Sequence, residues 1–335
     1  MPDDSRRAVA AAPGKIILFG EHAVVYGHPA IAVPVFQVRA QVTVEPRQGE
    51  VEIDATDIAR RYDLRAAPPD DPIAMMITRT CARLGVAPRD FAIHIRSTIP
   101  VARGLGSGAA VSVAVGRALA KFFAAEDTES TEQAKSRANS ASSVPSVAGL
   151  SVEDISALAY EVEKLHHGTP SGIDNTVIAF EQPVYFVKNQ PIESFRVARP
   201  CIIAIADTGV AAPTKIAVGD VRRAWETDRA RYEALFDRIG AIARDARAAI
   251  ERGDIDALGS LMNTNQQLAR AIGVSSPEIE TLVDAALRAG ARGAKLSGAG
   301  RGGNVIVLVD DGNRDQVKRA LMEAGARRVI VTTVE

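Results

Sequence analysis

The chain has 335 residues, which is too long for one small core and suits two domains of about 100–200 residues each. Apolar residues make up 47% and charged residues 24%, which are ordinary globular values and exclude a disordered or fibrous chain. The formal net charge is -1, which argues against a nucleic-acid-binding protein, since such proteins usually carry a strong basic excess.

The cysteines and the N-terminal segment predict a cytoplasmic protein. Cys81 and Cys201 are isolated and far apart, so they suit neither a disulfide framework nor a metal-ligand cluster. Charged residues and a Pro-Gly-Lys break interrupt the start of the chain, which therefore lacks the pattern of a signal peptide. The longest apolar run, near residues 108–116, is closed by Arg117 and is well short of the roughly 18–20 residues that span a bilayer.

The first half of the chain predicts strands followed by helices. Apolar or alternating runs predict strands over 15–19, 30–35, 37–45 and 91–96, with a helix over 72–84. A glycine-rich turn then runs into a helix that ends near Phe123. Residues 124–149 are rich in Ser, Ala, Glu and Thr, and predict a mobile loop or a loosely held helix. A Ser-x-x-Asp start at Ser151 predicts the next helix.

The second half predicts a different mixture of elements. The predicted strands and helices, in chain order, cover residues 200–206, 214–252 with a break, 254–271, 277–289, 304–309, 314–325 and 328–334. Strands and helices in blocks, without strict βαβ alternation, predict an α+β protein. We place the two predicted domains at residues 1–190 and 191–335.

The strongest local motif is a glycine loop at residues 100–110. Gly104, Gly106 and Gly108 follow an alternating strand and directly precede a helix. Such a loop lets backbone N–H groups approach an anion and places that anion at the positive end of the helix dipole, so phosphate is the natural ligand. A Walker loop is excluded because no Gly-Lys-Ser/Thr follows, and the acidic residue of a dinucleotide fold is missing. An ordinary glycine loop stays open as the alternative.

A second glycine motif covers residues 295–303. It matches Gly-x-Gly-x-x-Gly literally, but a strand follows it where a dinucleotide-binding fold requires a helix. A tight hairpin explains the glycines equally well. Two glycine loops in one chain favour a shared cleft for a polyphosphate or an active site.

Charged residues near these loops are candidates for chemistry. Lys15 precedes an apolar strand, and Glu21-His22 follow it in a glycine-punctuated turn. Glu163 lies on a helix that leads to a turn presenting Asp174. A helix carboxylate near a phosphate loop suits Mg²⁺, which prefers one or two carboxylates together with phosphate oxygens. A solvated lysine and a capping aspartate are the plain structural alternatives.

Taken in order, these motifs resemble the GHMP small-molecule kinases. The Gly20–Gly27 segment, residues 161–175 and residues 261–274 are most similar to the members that phosphorylate mevalonate. The resemblance spans nearly the whole chain. It implies a two-domain α+β fold, with an N-terminal domain like domain 2 of ribosomal protein S5 and a C-terminal ferredoxin-like α/β sandwich. It also implies ATP-dependent phosphorylation of mevalonate in the cytoplasm, without nucleic-acid or membrane partners.

The resemblance also implies roles for individual residues. Asp174 would act on the substrate hydroxyl, and Lys15 would pair with it and stabilise the transferring phosphoryl group. Glu163 and Ser107 would hold Mg²⁺. The implied ATP-binding residues are Pro100, Arg103, Gly104, Leu105, Gly106, Ser107, Gly108 and Ala109. The implied residues of the acid-substrate pocket are Glu21, His22, Thr214, Gly298, Ala299 and Gly300.

The sequence departs from the family pattern at three positions. Gly108 replaces a serine that supplies a metal ligand, and Arg301 and Asn304 replace a glycine and a cysteine of the third motif. These departures leave other functions open: a kinase acting on phosphomevalonate, the related decarboxylase, or a non-catalytic nucleotide binder. The glycine motifs alone also permit a dinucleotide-dependent oxidoreductase, and a homodimer is one option for the oligomeric state.

Overall fold

Two β-sheets, each packed with its own helices, form the molecule. The computed structural model describes residues 7–101, 103–135, 149–167, 170–211 and 214–335, and side chains are described except at 126–135, 166 and 167. One sheet has seven strands and the other has four. The α+β class with two units is therefore as the sequence predicts.

The seven-stranded sheet is built around one long central strand, β2. Its strands are β1 (Ala8–Phe19), β2 (Ala30–Pro46), β3 (Glu52–Ala55), β4 (Arg60–Asp63), β5 (Phe91–Ser97), β6 (Val184–Phe186) and β7 (Glu193–Ser194). The order is β4-β3-β5-β2-β6-β7, and β1 pairs antiparallel with β2. A register shift between Pro13 and Gly14 bends β1 just before Lys15.

Four helices pack with this sheet: α1 (Pro72–Leu84), α2 (Ser107–Lys135), α3 (Val152–His167) and α4 (Ile173–Phe180). Local chemistry fixes the ends of α1, because the Asp71 side chain accepts from the N–H groups of Ile73 and Ala74 and Gly85 ends the helix with φ +73°. The segment Ser107–Ala125 of α2 is long and apolar enough to cross a membrane, but 61% of it is buried in the domain, as in a core helix.

The four-stranded sheet is antiparallel, with the order β11-β8-β10-β9. Its strands are β8 (Cys201–Asp207), β9 (Gly293–Ser297), β10 (Asn304–Val309) and β11 (Arg328–Val334). The helices of this unit are α5 (Thr214–Thr227), α6 (Arg229–Arg252), α7 (Ile255–Ala271), α8 (Pro277–Arg288) and α9 (Arg314–Glu323). The side chains of Asp228 and Asp254 cap α6 and α7, and the cap at Asp228 is the break predicted within residues 214–252.

Several elements differ from the prediction. The strands predicted at 30–35 and 37–45 form the single strand β2, and the strand predicted at 15–19 begins already at Ala8. The short elements β3, β4, β6, β7 and α4 were not predicted, and α2 extends to Lys135. Residues 124–149 were predicted as a mobile loop or a loosely held helix; they are helical as far as Lys135, and residues 136–148 lie outside the described residues. The domain boundary near residue 190 stays a prediction.

Candidate active site

A lysine and an aspartate from two different elements form an ion pair. Lys15 Nζ lies 3.0 Å from Asp174 Oδ1, and the lysine side chain is 4% exposed while the aspartate is 27% exposed. Lys15 is carried by β1, and Asp174 lies in the first turn of α4. The amide of Asn175 donates to the carbonyl and hydroxyl oxygens of Ser156 on α3. This anchor holds α4 so that Asp174 faces Lys15.

The first glycine loop lies directly against the same lysine. The backbone N–H of Lys15 donates to the carbonyl of Leu105 at 3.0 Å. Gly104 and Gly106 have φ values of +77° and +73°, so both turns need glycine. The N-terminus of α2 follows at Ser107, and its free N–H groups form a site for an anion. The glycine turn that the sequence places directly before a helix is therefore present beside Lys15, and phosphate binding by this loop stays a prediction.

Gly106 is also required by space. A Cβ atom at this position would lie 2.8 Å from Ile178 Cδ1 and 2.9 Å from Lys15 Cγ. Gly108 differs, because a Cβ atom there would meet nothing within 4 Å. The loop is thus tight where it contacts Lys15 and open at the position where the family pattern has serine.

Glu163 is a buried carboxyl group on α3 next to this pair. Burial and, to a lesser degree, the negative charge of Asp174 raise the pKa of Glu163 to about 8, although the Lys15 cation acts in the opposite direction. A divalent cation would stabilise the ionised form of Glu163 and of Asp174 together. Within the described residues no cluster of three or more His, Cys, Asp or Glu side chains could hold a metal. A site of one or two carboxylates that relies on phosphate oxygens for its other ligands fits Mg²⁺.

The Glu21-His22 turn is strained. His22 has φ 60° and ψ -50°, and the N–H of Ala23 donates to the carbonyl of Glu21 at 2.7 Å, which together describe a classic γ-turn. The His22 ring is bonded through Nε2 to the carbonyl of Ala299 at 2.9 Å. Burial lowers the pKa of His22 to about 4, so the ring is neutral near pH 7. Strain of this kind is maintained only where the surroundings fix it.

A buried ion pair joins this turn to the second domain. The ammonium group of Lys295 contacts a carboxylate oxygen of Glu21 and donates to the carbonyl of Leu296 at 2.6 Å. The side chains of Lys295 and Glu21 are 0% and 4% exposed. Burial raises the pKa of Glu21 and lowers that of Lys295, and each partner opposes the effect on the other. The second carboxylate oxygen of Glu21 is buried without a hydrogen-bond partner among the described residues.

The second glycine motif is the tip of the β9–β10 hairpin. Ser297 pairs with Asn304 in register, so the loop between them spans residues 298–303. Gly300 has φ +76°, and a Cβ atom there would lie 2.2 Å from the carbonyl oxygen of Val274. The hairpin alternative is therefore the correct description of this motif. Its tip also reaches the N-terminal domain, since Ala299 accepts from His22.

The side chains of several other predicted site residues are buried, paired elsewhere or exposed. Leu105 and Ala109 are 1% exposed and pack beneath the loop. The guanidinium group of Arg103 points to β8, where Nη1 lies 3.6 Å from Asp207 Oδ1. Thr214 is exposed at the start of α5, and no hydrogen bond joins it to the Glu21-His22 turn among the residues described. Pro100 is half-buried where the chain enters the loop.

Sequence reasoning assigned no role to two residues that join the domains here. Ser297 Oγ accepts from the N–H of Ile17 at 3.1 Å and donates to its carbonyl at 2.9 Å. Lys295 partners Glu21. A lysine within an apolar strand, in a chain with only eight lysines, was an available signal. Its partner, 274 positions away, could not be found without the fold.

Together these residues can perform one kind of chemistry. Asp174 can accept a proton from a hydroxyl group, and the Lys15 cation beside it can stabilise negative charge that develops at a phosphoryl group. The helix N-terminus lies next to both. This arrangement suits transfer of a phosphoryl group from an anion on the loop to an alcohol held near His22.

Comparisons with known proteins agree with this geometry. Residues 73–146 match the family model described as the GHMP kinases N terminal domain, and residues 246–327 match GHMP kinases C terminal. The mevalonate kinase of Thermococcus sibiricus is 33% identical, over 97% of this chain and 95% of the relative. That of Aeropyrum pernix is 31% identical, over 98% and 97%.

Solved structures give the same picture. The L. major mevalonate kinase in complex with R-mevalonate superposes with a TM-score of 0.80, at 26% identity, over 100% of this chain and 99% of that one. A Streptococcus pneumoniae phosphomevalonate kinase reaches a TM-score of 0.78 at 17% identity, over 97% and 99%. At that identity the second likeness shows the fold alone.

Proposed function

Because the chain belongs to the mevalonate kinase family of the GHMP kinases, we propose that it transfers the terminal phosphoryl group of ATP to mevalonate. The primary hydroxyl would be the acceptor, and the products would be 5-phosphomevalonate and ADP, an early step of isoprenoid biosynthesis. The family predicted from the motifs is thereby confirmed, as is the kinase class, and the oxidoreductase alternative is not supported.

The observation that carries the proposal is the Lys15–Asp174 pair at the phosphate loop. Asp174 accepts the proton of the mevalonate hydroxyl as its oxygen bonds to the γ-phosphorus and the bond to the ADP oxygen breaks. Lys15, 3.0 Å from Asp174, keeps that carboxylate in place and offsets charge on the transferring group. The loop at Gly104–Gly108 and the N-terminus of α2 bind the phosphates of ATP.

Mg²⁺ fits the carboxylates beside Lys15. Glu163, with the Ser107 hydroxyl at the start of α2, would hold the ion. When bound, Mg²⁺ neutralises phosphate charge and orients the phosphates for in-line transfer. The environment of Glu163 supports this assignment, because burial beside a second carboxylate disfavours its ionised form unless a cation is near.

The acceptor pocket would be formed at the domain junction. The buried Glu21-His22 turn and the backbone at Gly298–Gly300 would line this pocket, and a part for Thr214 is implied by the resemblance alone. Neutral His22 donates through Nε2 to Ala299, so its Nδ1 can accept a hydrogen bond, and the unpartnered Glu21 oxygen can accept one from a substrate hydroxyl. These groups recognise a small hydroxy acid.

The pairing of Arg301 favours mevalonate over a phosphorylated substrate. Its guanidinium group contacts the carboxylate of Asp220 on α5, and its backbone N–H donates to the carbonyl of Val274 at 2.7 Å. A guanidinium group that is already paired is a weaker phosphate ligand. The departure from glycine at this position therefore has a structural explanation.

The test is an assay of the purified protein with ATP, Mg²⁺ and a panel of acceptors: mevalonate, phosphomevalonate, mevalonate diphosphate and galactose. Mass spectrometry of the product identifies the phosphorylated position. We expect turnover of mevalonate alone. Efficient turnover of another acceptor, without mevalonate turnover, would refute the assignment.

A variant of the proposed base tests the mechanism separately. Asp174→Asn keeps the size of the side chain and removes the proton acceptor, so kcat should fall about 10²–10⁴-fold. The dissociation constant of ATP, measured by calorimetry, should stay within a factor of about two to three. Unchanged turnover in this variant would indicate a protein that binds nucleotide without using Asp174 for catalysis.

A further inference from the structure

Three neighbouring residues of the four-stranded sheet touch the first domain. Asn304 on β10 is paired in register with Ser297 on β9 and with Asp207 on β8, so the three form a row across the sheet. We call this set the interdomain row. Their exposed fractions are 1% for Asn304, 3% for Ser297 and 8% for Asp207, so the row is buried at the junction.

One end of the row contacts the strand that carries Lys15. The hydroxyl of Ser297 bonds to both the N–H and the carbonyl of Ile17, at 3.1 and 2.9 Å. Ile17 is two residues after Lys15, so the two side chains leave the same face of β1. Ser297 therefore fixes the backbone of β1 relative to the second sheet, close to the proposed catalytic lysine.

The centre and the other end of the row contact the phosphate loop. Asn304 Nδ2 donates to the backbone carbonyl of Arg103, the residue before Gly104. The amide must present its nitrogen here, because two carbonyl oxygens would repel each other. The Asp207 carboxylate lies 3.6 Å from the guanidinium Nη1 of Arg103. The row thus contacts both the backbone and the side chain of Arg103 in the loop.

Through these contacts, β1 and the phosphate loop are both bonded to the interdomain row. β1 carries the lysine that would act at the acceptor, and the loop would hold the phosphates of the donor. Both are parts of the first domain, where the Lys15 N–H bonds to the Leu105 carbonyl and Gly106 packs against the Lys15 side chain. The contacts with the second sheet fix the positions of β1 and the loop relative to each other.

We propose that Asn304 is a positioning residue for the phosphate loop, and that the interdomain row sets the distance between bound ATP and Lys15. The inference rests on the proposed function for its kinetic consequence, but its effect on ATP binding does not depend on the acceptor. Asn304 touches neither substrate, and it acts through the backbone of Arg103.

The test compares Asn304→Ala with a matched control in the same sheet. Thr332→Ala on β11 also removes a buried side chain, 2% exposed, whose hydroxyl has no partner among the described residues. We expect Asn304→Ala to raise both the KM for ATP and the calorimetric dissociation constant of Mg-ATP about tenfold, the effect of one lost hydrogen bond. The KM for mevalonate should stay within about twofold, and Thr332→Ala should change none of these constants.

Asn304→Asp provides the second variant. It keeps the size of the side chain but turns an acceptor toward the Arg103 carbonyl, so the loss of ATP affinity should be at least as large. If Asn304→Ala is too unstable to purify, this variant decides the question alone. Equal melting-temperature losses in Asn304→Ala and Thr332→Ala, with unchanged ATP constants, would overturn the proposal and leave Asn304 a structural residue.

The two proposals fail in different ways. Absence of mevalonate phosphorylation by the unmodified protein would refute the proposed function. The calorimetric comparison of ATP binding would still decide the role of Asn304, because it needs no acceptor. A normal activity together with unchanged ATP affinity in both Asn304 variants would refute the positioning role only.

Discussion

Replacing Lys295 by methionine would isolate the Glu21 carboxyl in the interior. Methionine keeps most of the length and volume of lysine but lacks its charge, and the Lys295 site is 0% exposed. Removal of one partner of a buried ion pair typically costs about 3–5 kcal/mol, because the remaining charge is left without compensation. We therefore expect Lys295→Met to reduce the free energy of unfolding by about 3 kcal/mol or more at pH 7.

The ionisation of Glu21 gives an independent value for this cost. A buried carboxyl without a partner can bind a proton, and from its usual pKa of 4.5 this costs about 3 kcal/mol at pH 7, at about 1.36 kcal/mol per pH unit. In the variant the pKa of Glu21 is raised in the folded state. Its penalty is therefore absent below pH 4.5 and grows as the pH rises toward 7.

Urea denaturation at pH 5 and pH 7 measures both effects. Lys318→Met, on the exposed face of α9, is the matched control and should change the stability by less than about 0.5 kcal/mol. The double variant Lys295→Met/Glu21→Gln should recover most of the loss, since no charge is left buried. If Lys295→Met lowers the free energy of unfolding by less than about 1 kcal/mol, or by the same amount at both pH values, the pair is solvated and this reasoning is refuted.

Two further predictions concern the turn and the loop. Burial lowers the pKa of His22 to about 4 in the folded protein, whereas the pKa in the unfolded chain is 6.5. As the pH falls, the unfolded chain therefore binds the proton first. The free energy of unfolding should drop by up to about 3 kcal/mol between pH 6.5 and 4. His22→Asn, which tolerates positive φ, should flatten that part of the pH–stability curve, and an unchanged slope would exclude His22 as its cause. Gly106→Ala would push against Lys15 and Ile178 and should lower kcat at least tenfold, whereas Gly108→Ser enters open space and should keep or raise activity. Steady-state kinetics should be measured for the two glycine variants side by side. A larger loss of kcat in Gly108→Ser than in Gly106→Ala would contradict this prediction.

The sequence was most informative where local chemistry sets the structure. The helix α1 follows the prediction residue for residue, because Asp71, Pro72 and Gly85 fix its two ends. The phosphate loop was predictable for the same reason, since Gly104 and Gly106 mark turns that only glycine readily makes. Short strands such as β3 and β4 have four residues each, so their periodicity is too brief to recognise.

Contacts between distant residues were beyond the sequence alone. The resemblance implied that Lys15 and Asp174 would pair, and the structure brings them within 3.0 Å. The Asn304 contact with Arg103 spans 201 positions and joins two domains, so no local pattern indicates it. Lys295 and Glu21 are adjacent only because the β9–β10 hairpin packs against the end of β1. Such pairings depend on tertiary packing, which periodicity and turn chemistry do not encode.

The bond from Ser297 to Ile17 has a consequence for how the protein is made. Within the described residues β1 pairs with β2 alone, so its outer side is an edge strand, and Ser297 covers part of that edge. A nascent chain releases the N-terminal half first, and Ser297, which bonds to Ile17, emerges some 280 positions later. Until then Ile17 presents an unpaired N–H and carbonyl group at the edge of β1, where another chain can pair. Truncation before β9 should therefore give an aggregation-prone product. The soluble yield of the intact chain should depend on how soon its last third is synthesised.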